Sequence, residues 1–323
     1  MPDQQPAPIT DSSFPTARAA GLPMLGGRDI FITLRKNRVR GHFWPGQNPD
    51  RLPIVLSPGF TEFCEKYSAV AKRLHQLGHD VLIIDWPGQG RSGKLARDEY
   101  GIYINSFATH LRAMDMLMDE AGLGDRKRIF MGHSMGGHLT LRLAQRHAAV
   151  AAAAIALSPM ICPPILPVLG VRVLARFLVM LGLARRRAPL TYHRHFDEER
   201  VFHPDNRLTR DEEGYTKQFL WFDDAPEIWR SGASIGWVRA AYASCAKTTL
   251  NPRWMRRLTL PVLALTAGDE RVVNMPSTDR MLPFLPDCTH HKYDGAQHEL
   301  LFETDDVKTD VWTRIEAFLK AHG

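Results

Sequence analysis

Short apolar runs alternate with helix-periodic segments along most of this 323-residue chain, and that alternation restricts the available folds more than any other feature. Pro53 to Ser57 (PIVLS), Val81 to Asp85 (VLIID), Arg128 to Met131 (RIFM), Val150 to Leu157 and Pro261 to Thr266 (PVLALT) are apolar at successive positions and too short for helices. A strand that is apolar on both faces belongs inside a parallel sheet with helices packed on either side. Between the runs, Lys66 to Leu77 carries Val70, Leu74 and Leu77 at helical spacing, and Phe107 to Ala121 places Leu111, Met114, Leu117 and Met118 on one side. His138 to His147 and a closing segment, Val307 to Lys320, are also helical in pattern. Asp29 to Leu34 and Val39 to Trp44, around Lys36-Asn37, predict an antiparallel hairpin, and a shorter strand falls near His291 to Tyr293.

The alternation stops from Pro159 to about Met255, where prolines, helical patches and the aromatics Trp221, Phe222, Trp229, Trp237 and Tyr242 replace it. The expected organisation is an α/β core built from residues 22–158 and 256–323, with 159–255 inserted as a helical cap or lid. Residues 1–21, rich in Pro, Gln, Ala and Ser, read as a loose tail; they lack the basic start and apolar run of a signal peptide. Ala148 to Val171 is uncharged and about as long as a membrane span, but Pro159, Pro163, Pro164 and Pro167 would break a helix there repeatedly.

With 44% hydrophobic and 24% charged residues, the chain has a globular composition, so disordered, collagen-like and low-complexity readings fail. The net charge of +6 suits an anionic surface or acidic substrate, but the basic residues form no run beyond Arg185-Arg186-Arg187 and there is no zinc-finger spacing, so nucleic acid is not expected as a partner. The arginine run reads as a solvated cluster. Cys64, Cys162, Cys245 and Cys288 lie far apart with no C-x-x-C pair, which suggests reduced thiols in a cytoplasmic protein rather than disulfides or a zinc site.

Chemistry enters at Gly132-His133-Ser134-Met135-Gly136, a G-x-S-x-G pattern that follows a predicted strand and opens a predicted helix. On so sharp a turn the serine backbone is strained, and only small neighbours let the turn close. Ser134 would project above the sheet edge, with a helix N-terminus beneath it suited to an oxyanion. A glycine-rich phosphate loop is the rival reading, but no Lys stands in the Walker position.

A serine hydroxyl needs a base, and the base needs a carboxylate to fix its tautomer. Asp269 follows Pro261 to Thr266 in Ala267-Gly268-Asp269-Glu270, and His298 follows the next strand in Gly295-Ala296-Gln297-His298-Glu299. Ser134, Asp269 and His298 are therefore the expected catalytic residues, in the chain order of α/β-hydrolases. Glu270 is expected to point elsewhere, Asp294 lies too close to His298 on the same connection, and Asp85 follows an earlier strand. For the oxyanion hole, Met135 N–H is one expected donor and Phe60 N–H, in Pro58-Gly59-Phe60, the other.

The remaining histidines have plainer readings. His75 and His79 are four apart but lack the glutamate of H-E-x-x-H, so a surface or capping role is expected over metal binding. His290-His291 precedes a strand and reads as surface, and His133 as packed rather than catalytic. No metal or organic cofactor is called for.

With these residues placed, the chain resembles the monoacylglycerol lipase and lysophospholipase group of the α/β-hydrolase superfamily (serine aminopeptidase S33-type hydrolases), and most closely the bacterial lysophospholipase L2-like proteins. The resemblance rests on Gly59-Phe60-Thr61-Glu62-Phe63 with Glu65-Lys66-Tyr67, Asp85 to Ser92 (DWPGQGRS), Gly132 to Gly137, Gly236 to Ala241 (GWVRAA), Ala267-Gly268-Asp269 and Gln297-His298-Glu299. It implies Ser134 as nucleophile with Asp269 and His298 as partners, a mostly parallel sheet flanked by helices, and a helical cap over an acyl pocket. It also implies that Asp85 to Ser92 is structural. The chain departs from the group in having Pro58-Gly59 where His-Gly is usual before the oxyanion donor.

The expected reaction is hydrolysis of a lipid-like ester, a lysophospholipid or monoacylglycerol, through an acyl-enzyme on Ser134. Two rivals share the scaffold: another activity such as aminopeptidase, thioesterase or acyltransferase, and a binding protein without turnover. Ile165 to Arg187 mixes apolar residues with Arg172, Arg176 and Arg185 to Arg187, so peripheral contact with an anionic membrane, on its inner face, is a further expectation.

Overall fold

The computed structural model describes residues 26–189 and 196–323; the expected tail at 1–21 lies outside the described residues. In chain order the strands are β1 (Arg28–Leu34), β2 (Asn37–Trp44), β3 (Ile54–Ser57), β4 (Val81–Ile84), β5 (Arg128–His133), β6 (Ala151–Leu157), β7 (Val262–Ala267) and β8 (Cys288–Tyr293). The helices are α1 (Ser68–Gln76), α2 (Phe107–Glu120), α3 (Met135–Arg146), α4 (Val168–Met180), α5 (Phe196–Glu199), α6 (Glu212–Asp224), α7 (Ile235–Lys247), α8 (Pro252–Met255), α9 (Met275–Met281) and α10 (Asp305–His322).

The strands form one sheet in the order β1-β2-β4-β3-β5-β6-β7-β8, with β1, β2 and β4 joined antiparallel and every later pairing parallel. This is the α/β-hydrolase architecture, a mostly parallel sheet flanked by helices. The expected hairpin is present, but its two-residue loop is Arg35-Lys36, with Leu34 opposite Asn37 and Arg35 at φ 60°.

The continuous apolar runs are explained by burial on both faces. Val81 and Ile83 of β4 pack in one hydrophobic cluster with α1 and α10, through Val70, Leu74, Val311 and Ile315. Leu82 and Ile84 turn to the other side and pack with α2 and α3, through Leu111, Met114, Leu139 and Leu143. Alternate residues thus serve opposite cores, as the two-residue period of a strand requires. Each such large aliphatic side chain contributes about 1.5–3 kcal/mol on full burial. β8 is different: it lies at the sheet edge with Thr289, His290 and Lys292 exposed, so it has no apolar run and only its end is legible in the sequence.

Helix starts follow local chemistry. Ser106 accepts the Ala108 N–H at the head of α2, Ser234 that of Trp237 at α7, and Asn274 that of Ser277 at α9. Between β6 and β7 the chain forms α4 to α8 and, among the described residues, no strand of the sheet. Among those residues no helix is long and apolar enough to cross a membrane.

The connections place the site. From β3 the chain passes through α1 to β4 on one side, then returns across β3 to β5 on the other. The carboxyl ends of β3 and β5 therefore meet where the strand order reverses, the position at which open α/β sheets form their ligand crevice. In the β3–β5 register Ser57 lies opposite Gly132, so the turn after Ser57 and the turn after Gly132 are neighbours.

Candidate active site

Ser134 sits between the end of β5 and the first residue of α3 with φ 55° and ψ −120°, a left-handed conformation that costs a non-glycine residue about 1–3 kcal/mol. The neighbours hold it there. Ser134 N–H donates to Leu157 O at 2.9 Å, and Ser134 O accepts from Met160 N–H at 2.9 Å and His138 N–H at 3.1 Å. The glycines of the motif are a steric necessity: a Cβ on Gly136 would fall 1.9 Å from Ser57 O, and one on Gly132 2.5 Å from Thr140 Oγ1. The serine is carried on a turn that only this spacing of small residues can close.

The acid assignment needs correction. His298 is buried, and its Nδ1 lies 2.7 Å from Oε2 of Glu270, not from Asp269. The Glu270 carboxylate is almost entirely buried, and its other oxygen accepts the N–H groups of Val272 (2.8 Å) and Val273 (3.1 Å). Burial alone would raise its pKa, but His298 and the two backbone donors outweigh burial and lower it, so the carboxylate stays ionised. Asp269 turns outward, its side chain over a third exposed, and forms a two-bond pair with Arg271 at 2.9 and 2.7 Å. The reason is directional: Asp269 N–H is bonded to Ala296 O, which fixes the turn and sends successive side chains to opposite sides. Nothing in the one-dimensional pattern separates two adjacent carboxylates; the structure does.

The turn after β3 carries Gly59, Phe60 and Thr61, the last at φ 68°. Phe60 lines the same cavity as Ser134, as does Met135, whose N–H belongs to the first turn of α3 that no preceding carbonyl of the helix can claim. The expected oxyanion donors are thus on the two turns that the sheet register brings together. The Asp85 to Ser92 stretch braces this turn from behind: Trp86 Nε1–H donates to Pro58 O at 2.8 Å, and Gln89 Nε2–H donates to Gly59 O and Glu62 O, each at 3.0 Å.

Beneath the turn lies a buried charged cluster that motif reading assigned no role. Lys66 Nζ is 2.6 Å from Glu299 Oε1 and 3.0 Å from Glu62 Oε1. Glu62 Oε2 accepts the Tyr67 hydroxyl at 2.6 Å and, in a short contact, the Gly59 N–H. Burial opposes charge at Glu62 and Lys66, yet Lys66 and His133 hold the Glu62 carboxyl far below its ordinary range, and Glu299 with Glu62 raises Lys66. His133 is buried as expected, but by hydrogen bonds to charged and main-chain groups rather than by apolar packing. The only signal in the sequence was the placement of Glu62, Lys66 and Glu299 next to motif residues.

Ser134, His298, Phe60 and Met135 open on a cavity of about 540 Å³, within the range of small-molecule sites. Its lining is of two kinds. Pro163, Ile165, Val171, Leu174, Leu178 and Tyr242 give it apolar wall, and Glu62, Lys66, Asn206, Arg207, Gln218 and Glu299 give it polar wall.

Other expectations resolve simply. His79 is buried rather than at the surface, with Nδ1 2.7 Å from Leu52 O, so it secures a turn. His290 is exposed, within β8 rather than before it, and its Nε2 lies 2.8 Å from Thr266 Oγ1. The four cysteines are free thiols, three of them buried. Arg185 and Arg186 are exposed, while Arg187 pairs with Asp98 at 2.9 Å.

A strained serine at a strand-to-helix turn, a buried histidine–carboxylate pair and a cavity shared by both are the features an α/β-hydrolase of the serine type requires. The serine aminopeptidase S33 family model matches residues 48–305, and the chain belongs to that family. It is 30% identical over 291 residues to lysophospholipase L2 of Escherichia coli, covering 85% of this chain and 82% of that protein. It is 22% identical to monoglyceride lipase of Rattus norvegicus over 86% of this chain and 85% of that one. The fold matches a soluble variant of monoglyceride lipase from Saccharomyces cerevisiae, solved with a substrate analog, at a TM-score of 0.68 and 17% identity over 92% of this chain and 96% of that one. These likenesses place the chain among the carboxylic ester hydrolases of the family.

Proposed function

We propose that this chain hydrolyses the ester of a lysophospholipid or monoacylglycerol through an acyl-enzyme on Ser134. The observation that carries the reading is the placement of a strained Ser134 and a Glu270-bound His298 on one cavity whose wall is largely apolar. His298 takes the Ser134 proton as the hydroxyl attacks the ester carbonyl, and Glu270 holds the imidazole in the required tautomer and stabilises its charged form. Phe60 and Met135 N–H groups receive the oxyanion. The alcohol leaves with the proton from His298, which then activates water to release the fatty acid.

The apolar wall suits an acyl chain, each buried methylene contributing about 0.8 kcal/mol, and the polar wall suits a glycerol-based head. Residues 159–255 act as the cap in this reading. One side of α4 lines the cavity through Val171, Ala175 and Leu178. The opposite side is bare: Leu169, Val173, Phe177 and Met180 are between 54% and 74% exposed. No acidic residue occurs from Ile165 to Arg187, and Arg172, Arg176, Arg185 and Arg186 flank the apolar stripe. An apolar stripe edged by arginines suits the interface of an anionic membrane, where such substrates lie. Four free thiols accord with a reducing compartment on its cytoplasmic side.

The test is a fluorophosphonate label on wild type and Ser134→Ala, with fatty-acid release followed from lysophospholipid, monoacylglycerol and peptide amides. Labelling and release confined to the wild type, with esters favoured over amides, is the expected result. A wild type that is labelled but cleaves only amides or thioesters would overturn the ester reading.

A further inference from the structure

His133 stands directly before Ser134, and the motif leaves its identity open. Its imidazole is buried, with Nδ1 3.3 Å from the Glu62 carboxylate and Nε2 3.1 Å from the main-chain carbonyl oxygen of His298. Both partners are acceptors that carry no hydrogen. A neutral imidazole has one N–H, so either tautomer would leave a ring lone pair facing an oxygen at a residue only 4% exposed. Turning the ring over would put carbon atoms against both oxygens. Two donors are required, and only the imidazolium supplies them.

The charges around the ring agree. Glu62 and Lys66 approach from the turn and helix start that follow β3, and Glu299 and His298 come from the loop after β8; Tyr67 adds a hydroxyl bonded to Glu62. Two carboxylates against one ammonium leave a negative charge uncompensated in the cluster, and a protonated His133 balances it. Glu62 also accepts the Gly59 N–H, so a continuous chain of contacts runs from Gly59 through Glu62 and His133 to the backbone of His298.

We propose that His133 is an imidazolium positioning residue that ties the oxyanion turn at Gly59-Phe60 to the main chain of the base His298, and so registers both against Ser134. Burial opposes the charge, but Glu62 and Glu299 outweigh it and raise the His133 pKa above its ordinary value, in the same sense as the two acceptors that face the ring. As pH rises through that raised value one of the two bonds is lost, and the oxyanion turn and base loop lose their common anchor. The role rests on the catalytic reading of Ser134 and His298 given above.

Two measurements test it. In full-length Ser134→Ala labelled with ¹⁵N at histidine imidazoles, His133 is expected to show both ring nitrogens protonated at about pH 7.5, where an ordinary histidine is mostly neutral. In the active chain, His133→Gln keeps one donor and one acceptor; kcat for a short p-nitrophenyl ester should fall about 10- to 100-fold, with KM within about two-fold. Glu62→Gln should move the alkaline limb of kcat down by about one pH unit or more, a shift that loss of packing alone would not produce. A neutral His133 in a wild type that turns over ester overturns the inference, as does an unmoved kcat profile in both variants. Because the proton count needs no turnover, a doubly protonated His133 in a wild type without esterase activity refutes the catalytic reading, and the positioning role with it.

Discussion

The carboxylate of Glu270 lies 2.7 Å from Nδ1 of His298, both side chains almost wholly removed from solvent, while the adjacent Asp269 faces outward onto Arg271. One step along the chain thus separates a carboxylate that can orient His298 from one that cannot. Glu270→Gln should lower kcat/KM for a short p-nitrophenyl ester by about 10³- to 10⁴-fold, because an amide leaves His298 in the wrong tautomer. Asp269→Asn should stay within about three-fold of wild type, since it disturbs only an exposed ion pair. Equal losses in the two variants would refute the assignment.

The same pair gives the stability a pH dependence of known sign. The folded-state pKa of Glu270 is lowered from its ordinary 4.5, so the unfolded chain binds more protons in the acid range. Its contribution is therefore complete above about pH 4.5 and is lost as pH falls through the lower folded value. Urea unfolding midpoints compared at neutral pH and below about pH 4 should drop more steeply for wild type than for Glu270→Gln.

Strain at Ser134, the proposed nucleophile, makes a prediction in which stability and activity move oppositely. At φ 55° and ψ −120° Ser134 occupies a conformation that glycine adopts freely. Ser134→Gly should abolish turnover while raising unfolding stability by about 1 kcal/mol, read from the denaturant midpoint at unchanged slope. A less stable variant would show that the surrounding hydrogen bonds, rather than tolerated strain, dominate at this turn.

Gly136→Ala tests the closeness of the two turns. The added methyl would meet the Ser57 carbonyl at 1.9 Å, with Pro58 O at 2.4 Å, backbone atoms of the end of β3 and of the turn that follows it. The expected cost is at least about 2 kcal/mol, with loss of fluorophosphonate labelling in whatever fraction still folds.

The exposed side of α4 predicts a separation of chemistry from membrane binding. Replacing Leu169, Val173 and Phe177 together by Ser should leave hydrolysis of a short water-dissolved ester unchanged, because none of the three lines the cavity. Flotation with vesicles containing anionic phospholipid should fall about ten-fold or more for the triple variant. Equal flotation of variant and wild type would place the membrane contact elsewhere or remove it.

Much of the architecture was legible from order and period. The apolar runs at Val81 to Asp85 and Arg128 to Met131 announced strands buried on both faces, and the spacing of Leu111, Met114 and Leu117 announced α2, because these patterns report how many faces of an element leave water. The edge strand β8 was half hidden for the converse reason, since a strand facing solvent needs no apolar run. Ser134 and His298 stood out in the sequence because a sharp turn permits few residue types and because the proposed nucleophile would demand a base.

What the sequence determined by itself was the set of elements and the elbow: short-range sterics and burial act on neighbours along the chain, and neighbours are what a sequence displays. The choice of Glu270 over Asp269, the buried cluster of Glu62, Lys66, His133 and Glu299, and the bare outer side of α4 were decided only by tertiary structure. The first two depend on which groups from β3, β5, β7 and β8 converge at one sheet end and how far their side chains reach, the third on which side of α4 turns to the cavity. Charge and hydrogen bonding act through space at about 3 Å, between residues such as Lys66 and Glu299 that stand 233 positions apart in the chain.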